Sequence, residues 1–325
     1  MARYLLTGAA GFIGASIARL LLDQGHAVVG LDNLNDAYDP RLKQWRLERL
    51  RGRSGFDFHV ADITDREGLA RAWGSGAYDG VLNLAARAGV RPSMRQPDLY
   101  LQTNLLGTLR LLELCRERGV QKLVLASTSS LYGAHNPRPF REDADITRPL
   151  SPYAASKGAA ELLCHTYHHL FGLDISVLRY FTVYGPAGRP DMSIFRFIQW
   201  VAEERPVVLY GDGKQERDFT FVEDVAQGTV AALKPLGFEV INLGSDRPVG
   251  LLALLQQIEL VLGKTARIDR RDPAPGDVQA TWADISKARR LLDWLPGTPL
   301  EQGLQACVEW YLAERSWAGD VRTQD

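Results

Sequence analysis

Cysteine is scarce in this chain: Cys115, Cys164 and Cys307 are the three among 325 residues, and no two are close enough together to suggest a metal site. That excludes a disulfide framework and fits reduced core residues of a cytosolic protein. The six histidines show no ligand spacing either, so no metal is expected; His165, His168 and His169 read as helix residues at a subunit surface. Excess charge of one sign is also missing. With 38 Lys and Arg against 39 Asp and Glu, the net charge of −1 argues against nucleic acid or a membrane surface as the main partner. No apolar run reaches the roughly 18 residues of a membrane span. No repeat or low-complexity tract occurs, and a secretory leader is not expected, because the first strand starts at Arg3. What remains is an ordinary globular composition, 46% hydrophobic and 24% charged, long enough for about two domains and expected in the cytoplasm.

The most informative stretch is Leu5-Leu6-Thr7-Gly8-Ala9-Ala10-Gly11-Phe12-Ile13-Gly14. An apolar run from Arg3 to Thr7 precedes it, and Ile13, Ile17, Leu20 and Leu21 recur at helical spacing after it, so it predicts strand, turn, helix. Glycines at 8, 11 and 14 permit a tight turn, close approach of backbone to a diphosphate and close packing of helix on strand. The open N–H groups of the helix, Phe12, Ile13 and Gly14 among them, then face the phosphates. A second strand, Ala27 to Leu31, ends at Asp32, roughly 20 residues further on, where a carboxylate takes adenosine ribose hydroxyls and repels a 2′-phosphate. NAD is therefore favoured over NADP.

Residues 34–55 carry many charges and read as an exposed helix or loop insertion. Phe56 to Val60 is a third strand, with Asp62 and Ile63 at the adenine position. Val81 to Ala86 is a fourth, ending in Leu84 and the small Ala85 and Ala86, which leave room for the cofactor. Asp98 to Arg118 reads as one helix, apolar around most of its circumference and so covered on two sides, by the sheet and by a partner subunit. Lys122 to Ala126 is a fifth strand, Tyr153 to Phe171 a long helix, Ile175 to Arg179 a sixth strand. Strand and helix alternate throughout, which predicts an α/β fold with a Rossmann-type, doubly wound parallel sheet and a ligand at the carboxyl ends of its strands. Residues 1–182 read as the cofactor-binding domain, with a strand near 238–243 returning to it. Residues 183–325 read mostly as a smaller substrate-binding lobe, frayed from Trp317 onward.

Tyr153 and Lys157 are four apart on a helix and share a face. A nearby ammonium favours the phenolate and lowers the tyrosine pKa from its usual value near 10, which makes a base. Thr128, at the end of the fifth strand, can supply a hydroxyl bridging Tyr153 and a substrate oxygen.

These residues resemble the extended short-chain dehydrogenase/reductases and, within them, the nucleotide-sugar 4-epimerases, most of all those of UDP-glucuronate. The general motifs are the glycine turn, Leu84-Ala85-Ala86, Tyr153-Ala154-Ala155-Ser156-Lys157 and Arg217-Asp218-Phe219. The narrower ones are Leu31-Asp32-Asn33-Leu34-Asn35-Asp36, Ala88-Gly89-Val90-Arg91 and Arg179-Tyr180-Phe181-Thr182-Val183-Tyr184-Gly185-Pro186, continued by Arg189-Pro190-Asp191-Met192. The resemblance implies bound NAD, a UDP-sugar substrate and a homodimer built from the helices around 98–118 and 151–171. It implies Thr128, Tyr153 and Lys157 as catalytic residues, and adds Asn33, Asn104 and Tyr180 to the cofactor site. Asn104 equally fits a structural role on a buried helix.

Related dehydratases carry Asp-Glu, and decarboxylases Ser-Glu, where this chain has Ser129-Ser130; the resemblance therefore implies C4 oxidation followed by reduction from the opposite face. Thr182 and Arg189 lean toward a uronate, whose carboxylate Arg189 would hold with Ser129, Ser130 and Thr182. Arg217 resembles the arginine that binds the nucleotide diphosphate, with Arg196 and Asp277 as further candidates; Ala274 stands where galactose-type relatives carry another arginine. Arg87 and Arg91 fit either the substrate carboxylate or the cofactor diphosphate. The alternatives are a 4-epimerase of a neutral UDP-sugar, a decarboxylase, and an NAD-binding protein without catalysis.

Overall fold

The structure, a computed structural model, describes residues 1–272 and 278–323. From the N-terminus the chain forms β1 (Arg3–Thr7), α1 (Phe12–Asp23), β2 (Ala27–Asp32), α2 (Pro40–Glu48), β3 (Phe56–Val60), α3 (Arg66–Trp73) and β4 (Gly80–Asn83). Two short helices, α4 (Val90–Arg95) and α5 (Pro97–Tyr100), pass through a π-helical turn (Leu101–Leu106) into α6 (Gly107–Arg118) and β5 (Lys122–Thr128). A 3₁₀ turn (Ser129–Tyr132) precedes α7 (Pro152–Phe171) and β6 (Asp174–Tyr180). Then follow β7 (Thr182–Tyr184), α8 (Ser193–Ala202), β8 (Val207–Tyr210), β9 (Glu216–Phe221), α9 (Val222–Ala231) and β10 (Phe238–Leu243). The chain closes with β11 (Pro248–Gly250), α10 (Leu251–Leu262), β12 (Ile268–Arg271), α11 (Ser286–Leu292), α12 (Leu300–Ala313) and α13 (Arg315–Ala318).

Seven parallel strands pair in the order β3-β2-β1-β4-β5-β6-β10. The chain winds outward from β1 to β3, crosses back to β4 and winds the other way. The switch point therefore lies between β1 and β4, where open α/β sheets bind their ligands. Central β5 is buried along its whole length, as a strand covered by helices on both faces must be. Its one charged residue, Lys122, is answered by the Asp174 carboxylate and by Ser176 Oγ at 2.9 Å. Ile17, Leu21, Val225 and Leu243 belong to the core on one face of the sheet, and Leu69, Trp73, Leu111 and Cys164 to that on the other. A third core, with Phe195, Ile198, Leu254 and Leu304, supports a lobe holding two small sheets, β11-β9-β7 and β12-β8. All three cysteines are buried and free.

Three expectations are corrected. The stretch after β2 is not an exposed insertion. Asp39 caps α2, accepting from Arg41 N–H at 3.0 Å, Pro40 opens it, and Leu42, Lys43, Arg46 and Leu47 are buried. Leu42 joins the lobe's core, and Trp45 meets Trp310 edge-on at 5.7 Å while donating to Glu314 at 2.6 Å. Two of the stretch's cations are buried on partners outside it, Lys43 on Asp32 and Arg46 on the Ala187 carbonyl. Secondly, Asp98 to Arg118 is not one regular helix: Thr108 Oγ1 takes the Asn104 carbonyl at 2.7 Å next to the π-turn, a side-chain bond of the kind that disturbs the helical ladder. Thirdly, the tail from Trp317 to Thr323 is docked. Gln199 donates to the carbonyls of Ala318 and Val321 at 3.0 and 2.8 Å, and Trp200 donates to Thr323 at 3.1 Å, which buries Val321 and Thr323.

Candidate active site

A cleft of about 1370 Å³ opens over the carboxyl ends of β1, β2, β4, β5 and β6 and is closed from above by the lobe. Its floor is the glycine turn. Gly8 has φ +70°, and a Cβ there would lie 2.8 Å from the Ala85 nitrogen; a Cβ on Gly14 would lie 2.1 Å from the Gly8 carbonyl oxygen. Only backbone fits at either point. No side chain caps the N-terminus of α1, and Gly11, Phe12, Ile13 and Gly14 line the cleft, so the helix presents its open N–H groups and positive end to a ligand.

At the end of β2, buried Asp32 accepts from the N–H groups of Ala10 and Leu34 at 3.2 and 2.8 Å and from Lys43 Nζ at 3.2 Å. Asn33 donates to Asp62 at 2.7 Å, and Thr64 donates to Asp62 through both backbone and hydroxyl at 2.8 and 2.7 Å. Burial works to raise the Asp62 pKa, but these bonds outweigh it and hold the carboxyl below its usual range. Ile63, Leu84, Ala85, Ala86 and Arg87 continue this wall.

Asn104 does not line the cleft. It is buried and bonds the Arg87 backbone in both directions, accepting from N–H at 2.8 Å and donating to the carbonyl at 3.0 Å, and it donates to Ser156 Oγ at 2.9 Å. These bonds make it a strap between the loop after β4 and α7, the structural role that its sequence position also allowed.

Ser151 caps α7, accepting from Ala154 N–H at 3.2 Å, and Pro152 opens it, so Tyr153 sits in the first turn and Lys157 one turn further on. Thr128 ends β5 against them and caps the 3₁₀ turn, accepting from Ser130 N–H at 3.1 Å. The Lys157 ammonium is buried and donates to the Ala126 carbonyl at 2.8 Å; burial pushes its pKa down to about 8 against the pull of Glu161. The Tyr153 phenol lies edge-on to Tyr100 at 6.1 Å. Its pKa is raised, not lowered as the sequence argument has it: burial outweighs the Thr128 hydrogen bond and the field of Arg189.

Ser129, Ser130, Tyr180 and Thr182 line the cleft beside these residues. Tyr180 contributes its ring, since its hydroxyl is bonded to Thr229 Oγ1 at 2.9 Å on α9. Arg189 enters from the loop before α8 and is forked onto Asp191, Nε to Oδ1 at 3.1 Å and Nη2 to Oδ2 at 2.5 Å. Arg91 reaches across from α4 to stack over the lobe's Tyr210 ring at 4.4 Å, and from the lobe come Arg196, over Trp200 at 4.6 Å, and Arg217 on β9. Asp277 lies outside the described residues. Among the described residues no cluster of His, Cys, Asp or Glu could hold a metal ion, and no helix is long and apolar enough to cross a membrane.

The model of the NAD dependent epimerase/dehydratase family matches residues 4–244, three quarters of the chain. The chain belongs to that family. It is 54% identical over 311 residues to a UDP-glucuronate 4-epimerase of Thermodesulfobacterium geofontis, covering 95% of this chain and 96% of the relative. Among solved structures it resembles the UDP-glucuronic acid 4-epimerase of Bacillus cereus in complex with UDP-glucuronic acid and NAD, at 39% identity and a TM-score of 0.88 over 96% of this chain and 99% of that one. It also resembles a UDP-glucose 4-epimerase of Thermotoga maritima with UDP-glucose, at 31% identity and a TM-score of 0.89 over 96% and 99% of the two chains.

In this epimerase/dehydratase, sequence reasoning overlooked cleft residues on two segments. Tyr38, Arg41 and Lys43 line the cleft from in and around α2, and Asp320 and Arg322 from the docked tail. The signal for α2 was present: an Asp39-Pro40 helix start puts Leu42, Lys43, Arg46 and Leu47 on one face. Nothing local marks Asp320 or Arg322, because Gln199 and Trp200, far back in the sequence, dock the tail.

Proposed function

We propose that the protein is an NAD-dependent 4-epimerase that interconverts UDP-glucuronate and UDP-galacturonate. The observation that carries this reading is the convergence of Thr128, Tyr153 and Lys157 with Ser129, Ser130, Thr182 and Arg189 on one cleft whose floor is the dinucleotide turn. Residues 1–182 hold the cofactor and residues 183–325 mostly the sugar nucleotide in this reading. The cradle at Gly8 and Gly14, where only backbone fits, and the acid Asp32, with Asn33, Asp62 and Ile63 beside it, fit an NAD molecule. When bound, NAD would supply a reversible hydride acceptor.

The chain's own residues handle the proton and the carboxylate. Tyr153 removes the C4 hydroxyl proton, directly or through Thr128, as the C4 hydride departs; after the 4-keto sugar turns over, it returns the proton as hydride re-enters from the opposite face. Lys157 sits one helical turn away, its buried ammonium donating to the Ala126 carbonyl and its pKa pushed down to about 8 by burial. A 4-keto uronate loses carbon dioxide when its carboxylate bond aligns with the carbonyl π system, so the carboxylate must be held away from that alignment. Arg189 has donors for this. Asp191 occupies the Nε and Nη2 edge, leaving the Nη1 and Nη2 edge for a second carboxylate. Ser129 and Ser130 offer hydroxyls and no acid.

The test is to follow the sugar protons of UDP-glucuronate by NMR with purified protein, first without and then with added NAD. UDP-galacturonate is expected at a fixed final ratio, and the Tyr153→Phe variant is expected to lose turnover by about 10³-fold. A pentose product with released carbon dioxide, or no reaction while a neutral UDP-sugar is epimerised, would overturn the reading. We further propose a homodimer through the helices around 98–118 and 151–171, whose Leu101, Leu106 and Leu162 are exposed at 40%, 43% and 67%. Light scattering that gives the monomer mass would refute it.

A further inference from the structure

Arg46 is among the most buried charges of the molecule, 4% exposed, yet its guanidinium bonds only to neutral oxygens. On one side Nε and Nη2 donate to the Ala187 carbonyl at 3.1 and 2.6 Å. On the other, Nη1 donates to the Ala10 carbonyl at 3.3 Å and to the Tyr38 hydroxyl at 2.7 Å. The rings of Phe12 and Tyr38 lie 5.6 and 5.4 Å from its central carbon. A buried cation without a carboxylate is costly, and here it is held by carbonyls and ring faces instead.

What matters is what those carbonyls belong to. Ala10 lies inside the dinucleotide turn, and its own N–H is held by Asp32 at 3.2 Å, so the peptide groups on either side of this residue are each fixed by a side chain. Ala187 adopts φ +51°, a left-handed conformation unusual for a residue with a Cβ, two positions before Arg189. One side chain thus grips the wall that faces the cofactor and the loop that carries Arg189. Only a planar fork with donors on opposite edges spans both; a lysine has the charge without the geometry.

We infer that Arg46 is a positioning residue that sets Arg189 against the sugar and steadies the dinucleotide turn, joining substrate affinity to cofactor retention through a single guanidinium. This rests on the reading of Arg189 as the carboxylate holder. The test is a double-mutant cycle of Arg46→Met and Arg189→Ala, measuring KM for UDP-glucuronate, inhibition by UDP, which has no carboxylate, and NAD released per chain on denaturation.

Arg46→Met is expected to raise KM about tenfold, roughly the worth of one bond to a charged group, with UDP inhibition unchanged and less NAD retained. In the Arg189→Ala background the same change is expected to move KM less than twofold. Equal effects in both backgrounds would overturn the coupling to Arg189, and unchanged NAD content would overturn the coupling to the turn. If Arg189→Ala shifts KM and UDP inhibition alike, the carboxylate reading itself fails, and the NAD content of Arg46→Met still decides the other half. Arg46→Lys, which keeps a cation but not the fork, is expected to match Arg46→Met in KM. It also replaces Arg46→Met in the cycle should that variant not fold; a Lys variant with wild-type KM refutes the role of the fork.

Discussion

The two walls of the cleft are built differently. The cofactor wall is backbone: a turn into which no Cβ fits at Gly8 or Gly14, open N–H groups at the start of α1, and acids Asp32 and Asp62 fixed by backbone N–H groups, Asn33 and Thr64. The wall proposed for the substrate is made of long side chains held at their tips, Arg189 by Asp191, Arg91 by the Tyr210 ring and Arg196 by the Trp200 ring. A backbone site is set by covalent geometry and tolerates no added atom. A side-chain site is set by what holds each arm, a neighbour on the same segment for Arg189 and Arg196 and a ring distant in sequence for Arg91, and each arm can change separately. That difference suits a fold that keeps one cofactor and varies its sugar.

Gly14→Ala is the sharpest way to break the contrast. The new methyl would meet the Gly8 carbonyl, a backbone atom with nowhere to go, so loss of nearly all bound NAD is expected, with destabilisation of about 1–3 kcal/mol. Absorbance of released cofactor and a urea titration check it; retained NAD would mean that the turn yields more than its geometry allows. Arg189→Ala is the counterpart on the other wall. It is expected to leave NAD content unchanged and to raise KM for UDP-glucuronate by about 10- to 100-fold relative to a neutral UDP-sugar, the range for bonds between charged groups. An equal rise for both sugars would show that Arg189 braces the loop and does not read the carboxylate.

The same contrast explains what was legible. Gly8, Gly11, Gly14 and Asp32 announce themselves by short-range spacing, and Tyr153 and Lys157 by one helical turn after a Ser-Pro cap, because the physics that fixes them is local. Arg46 and Lys43 look like surface charges, since burial depends on acceptors such as the Ala187 carbonyl, 141 positions away. Asn104 was legible only as a pair of alternatives. An asparagine near a site can face a ligand or tie down the loop beside it, and only the partners, here Arg87 and Ser156, distinguish the two. The return of β10 to the sheet was readable as an apolar run, whereas the docked tail depended on Gln199 and Trp200.

Where the walls meet, Lys157 offers the smallest effect and the most specific sign. Its ammonium is buried with one bond, to the Ala126 carbonyl, while the nearby Glu161 carboxylate is committed to Arg179 at 2.7 Å and to Ser127. The native pKa near 8 lies below the 10.5 of a free lysine, so between those values the unfolded chain binds a proton that the native protein does not. Native stability therefore rises with pH across that window, and below about pH 8 the full penalty applies, about 3 kcal/mol for this shift. Lys157→Met removes the titrating group and loses about 1 kcal/mol with the Ala126 bond, so at pH 7 it is expected to unfold about 2 kcal/mol harder than wild type while losing turnover. The advantage should shrink above pH 8 and vanish towards pH 10, as followed by urea unfolding at a series of pH values. A constant gap, or a variant less stable at pH 7, would mean that the site solvates the ammonium, and that Lys157 is held charged by its surroundings and not against them.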